Sequence, residues 1–419
     1  MGTGSCPGSA GRRGCAAAAP AVAGARRRAA GRHAPRHRER RQGRVLTDPL
    51  FDRLRRFPDV EAPNLFAVDA ADRLILDEAG PALEAAPDGT VVVIDDQYGA
   101  LTLGAAVRYE ISGLRVHQDS IVAERALAAN ASRENLADRY ASHGLDEQLL
   151  RGARVVLLRL PRSLGALTET AEAIARHADP EVVVFAGGRD KHITVAMNDV
   201  LARSFAEVRA SRGRQKSRVV TARGPIPGPS TYPVRETLPE LDLVVVAHGA
   251  AFAGPRLDIG TRFLLDFLPR TAPDASVAVD LGCGTGILAT VLARQHPDMR
   301  VIATDQSAAA VDSAAATASA NGVADRVDAL RDDVAGSLPD ASVDLVVCNP
   351  PFHIGAAVHT GAAEKMFAAA GRILRPGGEM WTVYNSHLRY RPILKRVVGA
   401  TSVEGRNPKF TVTRSVRTR

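Results

Sequence analysis

The sequence predicts two α/β units in tandem behind an unstructured leader, and three observations carry that prediction. Strand-like apolar runs alternate with helical stretches along most of the chain. A proline-rich segment interrupts the alternation near the middle. The text on its two sides repeats, with LRVHQDSIVAERALAAN in the first half lying against MRVIATDQSAAAVDSAAATASAN in the second. Two unrelated open sheets would share the rhythm, but duplication with divergence also explains the shared text. The 419 residues suit two or three domains at about 100 to 200 residues each. With 45% hydrophobic and 24% charged residues, the chain can build sizeable cores, which excludes wholesale disorder.

Residues 1–44 hold eleven arginines and a single acid, Glu39, with no apolar periodicity, so they read as a disordered basic leader. The formal net charge of +8 belongs to that leader, because the remainder is nearly neutral. A transit peptide, a nucleic-acid-binding tail and a functionless extension all fit such a segment. The four cysteines, Cys6, Cys15, Cys283 and Cys348, are too sparse for a disulfide framework or a four-ligand zinc site, so a reducing cytoplasm and no metal are expected. The longest apolar runs, such as RVVLLRL, fall short of the roughly 18 residues of a membrane span.

The first unit runs from 45 to 224. TVVVIDDQ, GLRVHQD, RVVLLRLP and EVVVFAGG read as strands, and IVAERALAANASRENL as a helix. The stretch GPIPGPSTYP, with four prolines in ten residues, opposes both regular structures, and residues 225–233 are expected to be a linker. The second unit, 234–419, repeats the alternation with SVAVDLGCG, MRVIATD, VDLVVCNPPF and GEMWTVYN as strands.

Chemistry concentrates in the second unit. VAVDLGCGTGIL places Asp280 at a strand end, followed by Gly282, Gly284 and Gly286 in the turn into a helix. Glycines there let the backbone approach a ligand, and the helix N-terminus offers free N–H groups. An acid at the strand end suits a cationic ligand rather than a pyrophosphate. Asp305 ends the next strand and is spaced to accept both hydroxyl hydrogens of a ribose diol, or to cap the alanine-rich helix after it. Asp332 and Asp333 follow the third strand, either as a ligand contact, for which Asp333 is preferred, or as a solvated turn pair.

VDLVVCNPPFH, residues 343–353, carries the strongest pattern. A planar nitrogen has its lone pair delocalised and is a poor nucleophile. Acceptors that hold its hydrogens can pull it towards tetrahedral geometry and free that pair. The Asn349 side-chain oxygen and the Pro350 carbonyl suit this task; Pro350 and Pro351 stiffen the loop, and Phe352 offers a face for stacking. His353 is either a substrate contact or an incidental loop residue. Cys348, in an apolar strand, reads as core rather than as a nucleophile, and Cys283 as a small residue of the glycine loop rather than a redox partner. Arg389 and Tyr390 are open between an RNA contact and a solvated helix start.

The first unit lacks these groups. At the glycine-loop position it reads DDQYGAL, and at the Asn-Pro-Pro position LRLPRS, with Arg159 and Arg162. Together with SRGRQKSR at 211–218, this points either to a platform for phosphates or to a purely structural partner.

The glycine loop and Asn-Pro-Pro-Phe resemble those of Rossmann-like S-adenosylmethionine-dependent methyltransferases that act on planar nitrogens. DDQYGAL, SRENL, LRLPRSL, AGGRDKHIT and RLDIGTRF resemble the G type of the bacterial guanine-N2 methyltransferases that act on large-subunit ribosomal RNA, over about residues 46–417. The resemblance implies two tandem Rossmann-like domains, the first degenerate. It further implies methyl transfer from S-adenosylmethionine to the N2 of one guanosine in 23S ribosomal RNA. Asp280, Gly282, Gly284, Gly286, Asp305 and Asp333 would hold the cofactor, and Asn349 through Phe352 the target base. Tethered domains can frame the cleft without a second chain, which is compatible with a monomer and leaves the oligomeric state open. A glutamine-amide protein methyltransferase needs the same Asn and Pro acceptors, but such enzymes carry Tyr at the Phe352 position and a small helical N-terminal domain. A non-catalytic RNA-binding protein of this fold is disfavoured by the intact glycine loop and Asn349.

Overall fold

The computed structural model describes residues 49–271, 273–351 and 359–418, so the leader lies outside the described residues. The first half runs α1 (Pro49–Arg53), α2 (Ala70–Ala85), β1 (Val91–Ile94), α3 (Ala100–Arg108), β2 (Leu114–His117), α4 (Ile121–Arg133), β3 (Tyr140–Ser142) and α5 (Glu147–Leu150). It continues through β4 (Val155–Arg159), α6 (Leu164–His177), β5 (Val183–Arg189), α7 (Val195–Ser204), β6 (Phe205–Ala210) and β7 (Ser217–Pro225). The second half opens with a hairpin, β8 (Val234–Leu238) and β9 (Leu243–Ala247), then α8 (Ile259–Leu265), β10 (Val277–Leu281), α9 (Ile287–Gln295), β11 (Arg300–Asp305) and α10 (Ala308–Ala320). It ends with β12 (Val327–Arg331), β13 (Val343–Cys348), α11 (His359–Ile373), β14 (Leu374–Asn385), α12 (Arg391–Val397), β15 (Gly399–Arg406) and β16 (Phe410–Arg417).

Each half builds one seven-stranded sheet, ordered β3-β2-β1-β4-β5-β7-β6 in the first and β12-β11-β10-β13-β14-β16-β15 in the second. The two orders coincide, as the repeated text predicts. In both sheets the first five strands are parallel and the last two antiparallel. The central strands are buried on both faces, which explains why VVVI, VVLLR, VAVDL and VDLVVC are apolar runs rather than alternating ones.

Some boundaries differ from the sequence reading. The strand expected over TVVVIDDQ stops at Ile94, because Asp95 and Gln97 turn into left-handed backbone at φ 58° and 65°. Pro225, the first residue of the expected linker, is instead the last residue of β7 and pairs with Phe205 of the outer strand β6. The hairpin edge is closed by helix side chains. Asn321 and Thr317 on α10 accept from the Val244 and Val246 N–H groups at 2.9 and 3.0 Å, and Ser313 accepts from His248 N–H at 2.9 Å.

Residues Thr47–Arg419 form one compact unit. The halves meet at equivalent corners: Ser120 and Ser307, the N-caps of α4 and α10, form an antiparallel bridge. Ile121 N–H donates to Gln306 O at 2.9 Å, and Ala308 N–H to Asp119 O at 2.8 Å. A second contact joins His248 Nδ1 to Glu169 Oε1 at 2.6 Å, and Gly249 N–H to Glu169 Oε2 at 2.7 Å. The Glu169 carboxylate raises the His248 imidazole against the lowering effect of its burial.

Candidate active site

In an open parallel sheet the strands deliver their carboxyl ends to one edge, where ligands bind. At that edge of the second sheet stand Asp280, Asp305, Asp333 and Asn349, at or just past the ends of β10, β11, β12 and β13. Asp280 is buried beneath the glycine turn. Its Oδ2 accepts from Ala289 N–H at 3.0 Å in the first turn of α9, while its Oδ1 is buried without a hydrogen-bond partner among the described residues. Burial pushes its carboxyl up to about 7, against the Ala289 hydrogen bond.

Gly282, Gly284 and Gly286 take φ of 79°, 52° and 74°, which only glycine adopts without strain. They serve different ends. A Cβ on Gly286 would lie 2.8 Å from Ala314 Cα on α10, so this glycine lets two helices meet. A Cβ on Gly284 would meet nothing within 4 Å, leaving bare backbone towards the cleft.

Asp305 ties the turn to its strand, with Oδ2 accepting from Gly284 N–H at 3.1 Å and Oδ1 from Ser307 N–H at 3.0 Å. Burial raises its carboxyl. The equivalent acid of the first half, Asp119, lies alongside and accepts from Ser307 Oγ and Ala309 N–H, both at 3.0 Å. Asp332 is consumed structurally, accepting from Ser337 N–H and Oγ at 2.7 Å each. Its neighbour Asp333 is the one left at the rim, paired with Lys365 Nζ at 2.5 Å.

Asn349 follows the last residue of β13. Its Nδ2 donates to Asp258 Oδ2 and Thr261 Oγ1, both at 2.9 Å, whereas its Oδ1 is buried and has no partner among the described residues. Pro350 is buried and Pro351 exposed; Phe352 and His353 lie outside the described residues. A cleft between these groups is lined by Phe252, Arg256, Asp258, Thr261, Gly282, Gly284, Thr285 and Asn349. It joins the glycine turn to the amide, the two features that the sequence singles out separately. Among the described residues no cluster of three or more His, Cys, Asp or Glu could hold a metal ion, and no helix is long and apolar enough to cross a membrane.

Comparisons with known proteins agree with this geometry. Residues 242–414 match the family model described as Methyltransferase small domain, and residues 47–225 match the one described as RLMG N-terminal domain. The Streptomyces avermitilis protein named ribosomal RNA large subunit methyltransferase G is 35% identical, over 87% of this chain and 96% of its own length. The chain belongs to the ribosomal RNA large subunit methyltransferase G family. Shewanella amazonensis has a relative of the same name at 34% identity, again covering 87% of this chain and 96% of the relative. Among solved structures, the T. thermophilus 16S rRNA N2 G1207 methyltransferase (RsmC), determined with AdoMet and guanosine, superimposes with a TM-score of 0.67. It is 22% identical and the match covers 88% of this chain and 99% of that one, which fixes the shared two-sheet fold.

In this family member the first half has lost the open turn. Tyr98, in DDQYGAL, is buried; its hydroxyl donates to Asp59 Oδ2 at 2.5 Å, and the Arg56 guanidinium stacks 4.5 Å from its ring centroid. The segment ahead of α2 thus fills what is a cleft in the second half. Arg159 corrects the sequence reading. Instead of facing a phosphate, its guanidinium is largely buried and paired with Asp69 at 2.9 Å and Asp72 at 2.6 Å. Tyr390 is likewise core, edge-on to Phe367 at 5.3 Å, so of the expected pair only Arg389 is exposed. Cys348 is buried and its thiol pushed up, as the core reading expects, and burial raises the Cys283 thiol in the glycine turn as well. Sequence reasoning assigns no role to Asp258, Thr261 or Phe252. Asp-x-Gly-Thr ahead of an apolar run is a helix-start signal, and that is where Asp258 and Thr261 sit. Phe252 leaves no such signal, although its ring is 64% exposed at the cleft.

Proposed function

We propose that this family member is an S-adenosylmethionine-dependent methyltransferase acting on the exocyclic N2 of a guanosine in ribosomal RNA, most directly the 23S RNA of the large subunit, in the cytoplasm. The observation that carries this reading is the Asn349 amide: a buried carbonyl oxygen without a partner among the described residues, beside a glycine turn whose backbone faces the same cleft. The family relatives bear the large-subunit name, which supports the choice of RNA.

The residues fit the cofactor. Gly284 leaves room for close approach, Asp305 keeps lone pairs for a diol, and the unpartnered Asp280 oxygen places negative charge beneath the turn. Asp333 stands at the rim for the base. S-adenosylmethionine, when bound, supplies a methyl group whose transfer leaves the C–S bonding pair on sulfur. The protein's part is to prepare the nitrogen. Asn349 Oδ1 and the Pro350 carbonyl accept the two N–H groups of the amine, drawing it out of conjugation so that its lone pair becomes available. As the nitrogen gains a fourth bond its hydrogens become acidic, these acceptors hold the growing positive charge, and one proton leaves to water. No strong base is required. The aromatic face of Phe252 borders the cleft, where a planar base can stack.

The first half supplies a phosphate-binding rim in this reading, built from different residues than Arg159. Arg162, Arg189, Lys191 and Lys216 have no ion-pair partner among the described residues, and all but the partly buried Arg189 are exposed. Arg162 follows β4 and Arg189 and Lys191 end or follow β5, so these three lie at the carboxyl ends of neighbouring strands, and together with partial burial they push the His192 imidazole down. Lys216 joins them because its carbonyl accepts from Asp190 N–H at 2.9 Å.

The test offers tritiated S-adenosylmethionine with deproteinised ribosomal RNA, assembled subunits and protein extract separately. Label in large-subunit RNA is the expected result; label in protein that protease removes would reject an RNA substrate.

A further inference from the structure

We infer that Asp258 and Thr261 are positioning residues that lock the Asn349 side chain with its oxygen towards the substrate; this rests on the reading of Asn349 given above. A primary amide has two nearly isosteric ends, and only one accepts hydrogen bonds. An asparagine that rotated by half a turn would present an NH2 to the target amine, which needs an acceptor. Something must therefore choose the orientation.

Asp258 makes that choice on chemical grounds. An ionised carboxylate only accepts, so the end of the amide facing it has to be the nitrogen. Asp258 Oδ2 lies 2.9 Å from Asn349 Nδ2, and the same oxygen accepts from Gly260 N–H at 2.8 Å and Thr261 N–H at 3.1 Å. Those two bonds make Asp258 the N-cap of α8 and fix the carboxylate in place. Thr261 Oγ1 takes the second Nδ2 hydrogen at 2.9 Å. Both donors of the amide are thus spent, and Oδ1 is left buried without a partner among the described residues. Gly260 completes the clamp, because a Cβ there would come within 3.2 Å of Asn349 Oδ1 and 3.0 Å of Asp258 Oδ2. A helix start ahead of the sheet thereby sets the polarity of a group at the end of its fourth strand.

Asp258→Asn separates this role from a structural one, since asparagine caps helices as well as aspartate does but is uncharged and no longer acceptor-only. Turnover, the KM for RNA, cofactor affinity by calorimetry and the melting temperature are measured on the full chain. The expected result is a kcat lower by about tenfold or more, with cofactor affinity and melting temperature held. Thr261→Val gives a smaller loss of the same kind. The double variant Asp258→Asn/Asn349→Ala is no worse than Asn349→Ala alone, because orientation is worthless once the amide is gone. A kcat for Asp258→Asn within about twofold of the parent, a loss confined to cofactor affinity, or additive losses in the double variant would each overturn the proposal. Full activity in Asn349→Ala would instead overturn the reading beneath it.

Discussion

Asn349 and Asp305 stand at the ends of the two strands that flank β10, and their surroundings assign them different duties. The Asn349 amide is held by side chains and keeps one buried acceptor open; the Asp305 carboxylate is held by the backbone of the glycine turn. Asn349→Ala is therefore expected to lower kcat by about a hundredfold or more while leaving cofactor affinity unchanged, as loss of a charge-stabilising group does. Asp305→Ala is expected to weaken cofactor binding first; calorimetry with each variant separates the two. Asp280 gives a pH signature. Its raised carboxyl means that between its ordinary range and about 7 the folded protein holds a proton that the unfolded chain has released, so stability falls as pH rises through that window. A cationic ligand favours the charged form, so binding releases a proton. Cofactor affinity then rises by up to about tenfold per pH unit towards 7 and flattens above it, and Asp280→Asn abolishes the slope. A slope unchanged in Asp280→Asn would mean that another group titrates. These residues are legible in the sequence because each ends an apolar run with a polar side chain. Asp258 is not, because a helix cap and a positioning group look alike in one dimension.

Helix α10 shows where pattern reading fails at the scale of an element. SAAAVDSAAATASAN reads as an alanine-rich helix with scattered small polar residues, of the kind that face solvent. Ser313, Thr317 and Asn321 instead recur every four residues on one buried face and satisfy the N–H groups of β9 and His248, replacing a neighbouring strand. Thr317→Val should cost about 1–3 kcal/mol of stability, because it leaves the buried Val246 N–H and carbonyl unpaired, and denaturant titration measures it. A change under about 0.5 kcal/mol would mean that the hairpin edge finds water or another partner. The parallel strands are legible in the sequence, since burial on both faces writes itself as an uninterrupted apolar run. Their ends are less so: positive φ at Asp95 and Gln97 stops β1 where the apolar text runs out, short of the polar residues that follow it in TVVVIDDQ.

At the scale of the whole molecule, two copies of one sheet topology meet through equivalent corners and have diverged at equivalent sites. The repeated text reveals the duplication, but not that Tyr98 and the segment before α2 fill the first copy's turn, or that Arg159 is spent on Asp69 and Asp72. Those are contacts between residues far apart in sequence. In the proposed function the basic rim of the first half is what remains for RNA. Replacing Arg162, Arg189, Lys191 and Lys216 with alanine together should raise the KM for RNA without changing cofactor affinity. It should also flatten the salt dependence of binding, by about 0.7 in logarithmic slope for each phosphate no longer neutralised. An unchanged slope would assign the phosphates to another surface.

The central claim is that the second half methylates guanine N2 with Asn349 as an acceptor. Ribosomal RNA incubated with S-adenosylmethionine and either the parent protein or Asn349→Ala, then digested to nucleosides and resolved by mass spectrometry, tests it most directly. The account predicts N2-methylguanosine with the parent and its loss with the variant. A different methylated nucleoside, or equal yield from both proteins, would contradict it.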